Sequence, residues 1–340
     1  MPDSRSPHEI PDEIPINLWY GARKHSHQDA SAAPPPHFST GEQGTGMKIA
    51  IQGEPGSFSH EAAMKLVADA VIVPFSLSAD AFAALVNGAV EAAVIPIENS
   101  LAGSVSEHFD LLLTHNVQVQ RETLLRIRHN LIAISGTSIG EIDRVFSHPV
   151  ALAQCRRFLA EHSRMEAYAF YDTAGSVKQL VELRDRHAGA IASEAAAHYY
   201  GGQILRAGIE DNPENFTRFF LVRRTQDAVL DPESNKMSLA FSVENRPGSL
   251  VAALTALSSI GTNLTKIESR PVHGKPWEYI FYVDCQVASA EEGSRALQAL
   301  APHCAMVKEL GFYREARQER SPAHNSLDFA GLDLNGLRTE

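Results

Sequence analysis

Two local patterns in this chain could do chemistry. The first is a set of turns in which a short apolar segment ends in small or hydroxyl residues and a helical segment starts at once. The instances are Gly53-Glu54-Pro55-Gly56-Ser57-Phe58-Ser59, Glu98 to Ser104 with Asn99 and Ser100, Ser147-His148-Pro149, Asp172 to Ser176 with Thr173, and Ser193-Glu194. The first backbone N–H groups of a helix have no partner inside it, and the helix dipole favours an anion there. Several such ends converging on one cleft would suit a small ligand with more than one carboxylate. Taken singly, each Ser or Thr reads as an ordinary N-cap, and Ser104…Glu107 and Ser176…Gln179 have capping-box spacing. The second pattern is Asn215-Phe216-Thr217-Arg218-Phe219-Phe220-Leu221-Val222, with a hydroxyl and a guanidinium at the start of an apolar strand. A guanidinium fork matches a carboxylate; the plain alternative is a strand edge with a solvated arginine. His60, His108 and His148 lie beside the turns and read as capping or solvated side chains, because no Ser–His–Asp arrangement accompanies them.

An alternation of strands and helices would position these turns. From Met47, which opens the folded unit or serves as an alternative initiator, the spacing predicts strands at Lys48–Gln52, Val71–Phe75, Ala92–Ile97, Val145–Ser147, Ala167–Tyr171 and Ala188–Ala192. Helices are predicted at Glu61–Ala70, Ala79–Asn87, Val105–Thr114, Ala151–His162, Ser176–Leu183 and Glu194–Tyr200, with a β-rich stretch over Gln118–Ile134. This rhythm is α/β, and in such sheets the turns gather at the carboxyl edge, where ligands bind. After the polar linker Thr225–Asn235, a second unit reads βαββαβ, a ferredoxin-like order: a strand carrying Met237 to Val243, a helix with Leu250 to Leu257 on one face, strands Asn263–Arg270 and Trp277–Val287, helix Glu291–Leu300 and strand Ala305–Tyr313. The expected organisation is a tail at 1–46 without helical or strand period, a catalytic unit at 47–225, a second unit at 236–313 and a loose tail at 314–340.

Bulk properties narrow the function classes. A length of 340 residues fits two domains, and 44% hydrophobic residues can bury a sizeable core. A net charge of −11 argues against a nucleic-acid surface, although helix ends and single arginines still bind anions. Cys155, Cys285 and Cys304 are far apart, and neither a CxxC pair nor a paired-His spacing points to zinc. The Gly53…Gly56 turn lacks GxGxxG, so no dinucleotide fingerprint is present. No apolar run approaches a membrane span. The first residues lack the basic-then-apolar pattern of a secretory signal, which makes the cytoplasm the default.

Taken together, IQGEPGSFSHEAA (51–63), IPIENSLAGSV (95–105), SHPVALAQC (147–155), YDTAGSVK (171–178), AIASEAAAHYYG (190–201) and NFTRFFLV (215–222) resemble prephenate dehydratase. ENRPGSLVAAL (244–254) and KIESRP (266–271) resemble its ACT regulatory domain, so the resemblance covers residues 47–313. It implies a catalytic half similar to type 2 periplasmic binding proteins, with two lobes and the active site between them. The chain would cross to the second lobe near residues 122–130 and return near Thr217. The implied reaction is the decarboxylating dehydration of prephenate to phenylpyruvate, without cofactor or metal.

The resemblance also implies roles for particular residues. Thr217 would donate a hydrogen bond to the leaving hydroxyl, Arg218 would clamp the pyruvyl carboxylate and Phe219 would wall the ring. Asn99, Ser100, Ser147, Thr173 and Ser193 would be polar contacts to the substrate. Asn245, Gly248, Ser249, Leu250 and Val251 would hold phenylalanine, meeting Glu268, Ser269 and Arg270 across the interface of a homodimer or homotetramer. Val150 stands where the family often has Gln, and Ser249 where it usually has Ala, which adds a hydroxyl beside an apolar pocket. The rival readings are an arogenate dehydratase and a non-catalytic amino-acid sensor; the intact Thr217-Arg218-Phe219 counts against the latter.

Overall fold

A computed structural model describes residues 46–272 and 277–317; the expectations for 1–45 and 318–340 lie outside them. The first lobe is built from β1 (Lys48–Gln52), α1 (Phe58–Leu66), β2 (Val71–Phe75), α2 (Ser78–Val86), β3 (Ala92–Asn99), the two-residue β4 (Gly103–Ser104), α3 (Ser106–Thr114) and β5 (Val117–Arg126). The chain then enters the second lobe: β6 (Asn130–Ala133), β7 (Arg144–Ser147), α4 (Pro149–Ala153), α5 (Arg156–Glu161), β8 (Glu166–Ala169), α6 (Thr173–Leu183), β9 (Ala188–Ala192), α7 (Glu194–Tyr200) and β10 (Gln203–Arg206). It returns through β11 (Phe216–Arg224). The first sheet runs β2-β1-β3-β11-β5 and the second β10-β6-β9-β7-β8. This is the two-lobed arrangement that the resemblance implied, with the crossings in the expected places.

The continuous apolar runs AVI of β3 and AGAIA of β9 are buried on both faces, as suits central strands under helices. Gly201, at φ +75°, ends α7 in the left-handed region that glycine tolerates. Two local expectations need correction, and one short strand has no counterpart in the sequence pattern. The helix expected over Ala151–His162 is two helices, because Cys155 leaves helical geometry and the Asp211 carboxylate accepts the N–H groups of Arg156 and Arg157 at the start of α5. Neither proposed capping box forms. Asp172, not Ser176, caps α6 by accepting from the Gly175 N–H, and α3 begins at Ser106 with no side-chain cap. Strand β10 went unread; it is a four-residue edge strand with an irregular register against β6.

The C-terminal unit comprises β12 (Lys236–Ser242), α8 (Ser249–Ser259), β13 (Asn263–Pro271), β14 (Tyr279–Gln286), α9 (Ala290–Leu300) and β15 (Met306–Tyr313). Its sheet is antiparallel throughout, in the order β13-β14-β12-β15. Strand alternation divides β12 between two cores. Met237, Leu239 and Phe241 pack with Ala253, Leu257 and Leu300 of the unit's own helices. Ala240 joins Tyr282, Leu310 and Tyr313 in a core shared with Phe82, Leu85, Val119 and Phe220 of the first lobe. The backbones of β15 and β5 approach so closely that a side chain on Gly311 would collide with Val119. The C-terminal unit is therefore welded to the first lobe. Among the described residues no helix is long and apolar enough to cross a membrane, and no group of three or more His, Cys, Asp and Glu could hold a metal ion.

Candidate active site

A cleft of about 560 Å³ lies between the lobes and is lined from both. That volume suits a small organic ligand. On β11, period-two alternation sends Thr217 and Phe219 into the cleft. Thr217 pairs in register with Asn99 of β3. The Asn99 side-chain oxygen accepts from the N–H groups of Leu101 and Ala102, at 3.0 and 2.8 Å. Two backbone donors on that oxygen fix which way the amide points. Asn99 Nδ2 must then face the strand, where it donates to Thr217 Oγ1 at 2.9 Å and to Asn215 Oδ1 at 2.7 Å. The Thr217 oxygen is thus already an acceptor, and its own hydrogen is left for the cleft.

A buried polar chain supports this rung. Asn215, fully buried, donates to Gln154 Oε1 at 2.9 Å, and that same oxygen meets His129 Nε2 at 2.9 Å. Burial pushes the His129 pKa down, so the ring is neutral at pH 7. With Gln154 Oε1 as acceptor, Nε2 carries the proton and Nδ1 is left without a partner.

The electrostatics of the cleft are unusual for a site that would hold anions. Among the described residues no lysine or arginine lines it. Its positive ends are those of helices: Phe58 and Ser59 open α1 from one lobe, and Thr173 opens α6 from the other. The two carboxylates at the wall are already engaged. Glu54 meets Lys178 Nζ at 3.1 Å and the Tyr171 hydroxyl at 2.9 Å, across the lobes. Asp172 caps α6, and burial raises its pKa.

Of the residues picked from sequence, Asn99, Thr173, Thr217 and Phe219 line this cleft. Four others are corrected. Ser100 lies outside the lining and braces the strand start, donating to the Glu214 carbonyl and accepting from the Phe216 N–H. Ser147 is fully buried and donates to the Ile191 carbonyl. Ser193 caps α7 and donates to the Gly56 carbonyl at 2.6 Å, stitching lobe to lobe. Arg218 points away from the cleft, because a strand cannot send consecutive side chains to one face. Its guanidinium donates to Glu122 and Asp284, each at 2.5 Å, and to the Tyr313 hydroxyl at 2.9 Å, and lies over the Phe220 ring. It is not placed to clamp a substrate carboxylate.

In the C-terminal unit, Asn245, Gly248 and Val251 are exposed at the turn into α8, Ser249 and Leu250 are half-buried there, and Ser269 is exposed on β13. Within the chain, Glu268 and Arg270 both turn to the catalytic half. Glu268 accepts from Ser104, and Arg270 pairs with Asp110 of α3 at 2.7 Å. His129, Gln154 and Asn215 had not been singled out, although Gln154 and Asn215 sit inside recognised segments. A polar side chain at the end of an apolar run was the available signal. His60 and His148 act as caps, accepting from the Gly56 and Val150 N–H groups, and His108 is buried between Ser78 and the Pro96 carbonyl.

Residues 49–227 match the family model described as prephenate dehydratase. An arogenate dehydratase/prephenate dehydratase of Arabidopsis thaliana is 38% identical over 283 residues, 79% of this chain and 73% of the relative. A bifunctional chorismate mutase/prephenate dehydratase of Aquifex aeolicus is 35% identical, over 79% of this chain and 74% of the relative. Among solved structures, a prephenate dehydratase of Arthrobacter aurescens in complex with L-Phe superimposes with a TM-score of 0.73 at 31% identity, over 82% of this chain and 93% of that one. With the two-lobed cleft and the Thr217 rung inside the matched region, the chain belongs to the prephenate dehydratase family.

Proposed function

We propose that this enzyme converts prephenate to phenylpyruvate, CO2 and water. One observation carries the reading: Asn99, locked by two backbone donors, occupies the Thr217 oxygen and leaves the Thr217 hydrogen facing the cleft. In the reaction the bond from the ring to its carboxylate breaks and that electron pair enters the ring. The C4–oxygen bond breaks in turn, and the departing oxygen takes up one proton and leaves as water. A threonine hydroxyl is too weak an acid to supply a free proton at pH 7. Its part is to donate a hydrogen bond to the leaving oxygen, worth roughly 10²–10⁴-fold when coupled to proton transfer.

In this reading one substrate carboxylate meets the start of α1, with Ser57 and Ser59 beside it, and the other meets the Thr173 hydroxyl, because Asp172 already takes the Ala174 and Gly175 N–H groups of α6. A lining free of cations suits this chemistry. Strong pairing with the carboxylate that departs would stabilise the ground state and slow its loss. Phe219 supplies an apolar wall for the ring. Arogenate undergoes the same elimination with an amine in place of the keto group. Side-by-side assays decide between them: we expect a higher kcat/KM on prephenate, and a higher value on arogenate would overturn the assignment.

The proposal extends to regulation. The turn Asn245–Val251 binds L-phenylalanine between two copies of the chain; the Arthrobacter aurescens relative solved with L-Phe supports the choice of ligand, and the resemblance of ENRPGSLVAAL supports the place. Gly248 adopts φ +85° with open space where a Cβ would stand, so Gly248→Leu strains the backbone and projects a bulky side chain from the turn. Calorimetry should find phenylalanine binding to the wild type and not to that variant. The unpaired cysteines fit a cytoplasmic setting.

A further inference from the structure

The rung that carries Thr217 has a second rung directly behind it. Arg218 pairs in register with Glu98 just as Thr217 pairs with Asn99. Adjacent residues of a strand face opposite sides, so Asn99 and Thr217 look into the cleft while Glu98 and Arg218 look at the C-terminal unit. That unit holds both. Lys266 of β13 reaches Glu98 Oε1 at 2.9 Å, and Asp284 of β14 and Tyr313 of β15 hold the Arg218 guanidinium. Within the rung, Arg218 Nη1 lies 3.9 Å from Glu98 Oε2. The grip continues outward. Ser238 of β12 donates to Asp284, Lys236 pairs with Glu122 at 3.1 Å, and Ser104 of the cleft wall bonds Glu268 of β13.

We propose that Glu98 and Arg218 are positioning residues through which Lys266, Asp284 and Tyr313 of the C-terminal unit set the Asn99–Thr217 rung, and that the enzyme's response to an effector in that unit passes through this pair. The geometry makes the coupling short. A shift of β13 or β14 pulls on Glu98 or Arg218, and each is joined by a single peptide bond to a residue of the working rung. A contact that differs between two states of the C-terminal unit is what lets a ligand there alter the cleft. The second half of the inference rests on the proposed phenylalanine site; the first half does not.

The test uses the full chain and three substitutions. Lys266 sits at the rim of the network, with a side chain 14% exposed, so Lys266→Met should fold. Asp284→Asn strikes the buried centre, and Lys266→Arg keeps the cation. We expect Lys266→Met and Asp284→Asn to lower kcat at least about fivefold with KM within about twofold, the pattern of an interaction felt mainly in the transition state, and Lys266→Arg to recover most of the rate. In Lys266→Met, L-phenylalanine should bind by calorimetry as it does to the wild type while its effect on kcat is lost. A Lys266→Met protein with wild-type kcat and full phenylalanine response overturns the proposal, whether or not Asp284→Asn folds. So does a loss of rate that appears wholly in KM. If the wild type does not bind phenylalanine, the sensing site falls, and the kcat–KM split still decides the rung.

Discussion

The two faces of the β3–β11 pair are built from different materials. Toward the cleft, Asn99, Thr217, Asn215 and Gln154 form a neutral network of amides and one hydroxyl. Toward the C-terminal unit, Glu98, Arg218, Glu122, Asp284, Lys236 and Lys266 form a network of charges. A neutral hydrogen bond contributes about 0.5–1.5 kcal/mol net. It can hold a side chain in place and leave one donor unused for a substrate. Buried charges tolerate no such vacancy: each must be matched, and removing one partner leaves the others desolvated and alone. The cleft is therefore the face that can bind and release, and the back is the face that resists change.

Breaking the back should have the largest effect. Arg218→Met leaves Glu122 and Asp284 facing each other with Lys236, the Ala316 N–H and hydroxyls to answer them, and should cost about 3–5 kcal/mol of stability by urea unfolding. A cost below about 1 kcal/mol would mean that water already screens this network. Next comes the front. Thr217→Ala should lower kcat by at least about a hundredfold, equivalent to about 2.7 kcal/mol, with KM little changed and the fold intact. Thr217→Ser should keep much of the rate, and near-normal turnover in a folded Thr217→Ala protein would reject the assignment. Asn99→Ala is milder. It frees the Thr217 hydroxyl to rotate without removing it, so kcat should fall about tenfold. A loss equal to that of Thr217→Ala would make Asn99 itself a direct participant.

The same contrast explains what could be read from the sequence. The strands and most helices were legible because their apolar residues repeat at two or at three and four. The order βαββαβ of the C-terminal unit was likewise legible. Thr217 and Phe219 line the cleft, as strand alternation allows, and the alternation that places Phe220 in the core also puts Arg218 on the wrong face for a clamp. The guanidinium's chemistry suggests a clamp for a dianion, and its parity in the strand argues against one. Asp284 was a second readable clue, a carboxylate inside the apolar strand YIFYVDCQ. It implied a buried cation somewhere, though not which one, because the partner lies 66 residues away. Ser147 and Ser193 show the converse limit. A hydroxyl at a strand end looks the same in sequence whether it meets a ligand, caps a helix or serves a neighbouring carbonyl.

The smallest expected effect tests the seam between the lobes by pH. Glu61 of α1 stands beside Ser193 of the other lobe. Burial pushes its carboxyl up to about 7 from an ordinary 4.5, repulsion from Glu194 adds to the rise and the Ser193 hydroxyl pulls it partly back. Between those two values the folded chain holds a proton that the unfolded chain has lost. Stability must then fall as pH rises through that window, and the contribution is constant above and below it. Replacing the acid by Glu61→Gln removes the titration and keeps the shape. Melting temperatures taken from about pH 5 to about pH 8 should show the wild type losing ground to the variant by about 5 °C, with the loss levelling off only above about pH 7. Parallel curves for the two proteins would place the Glu61 carboxyl in water.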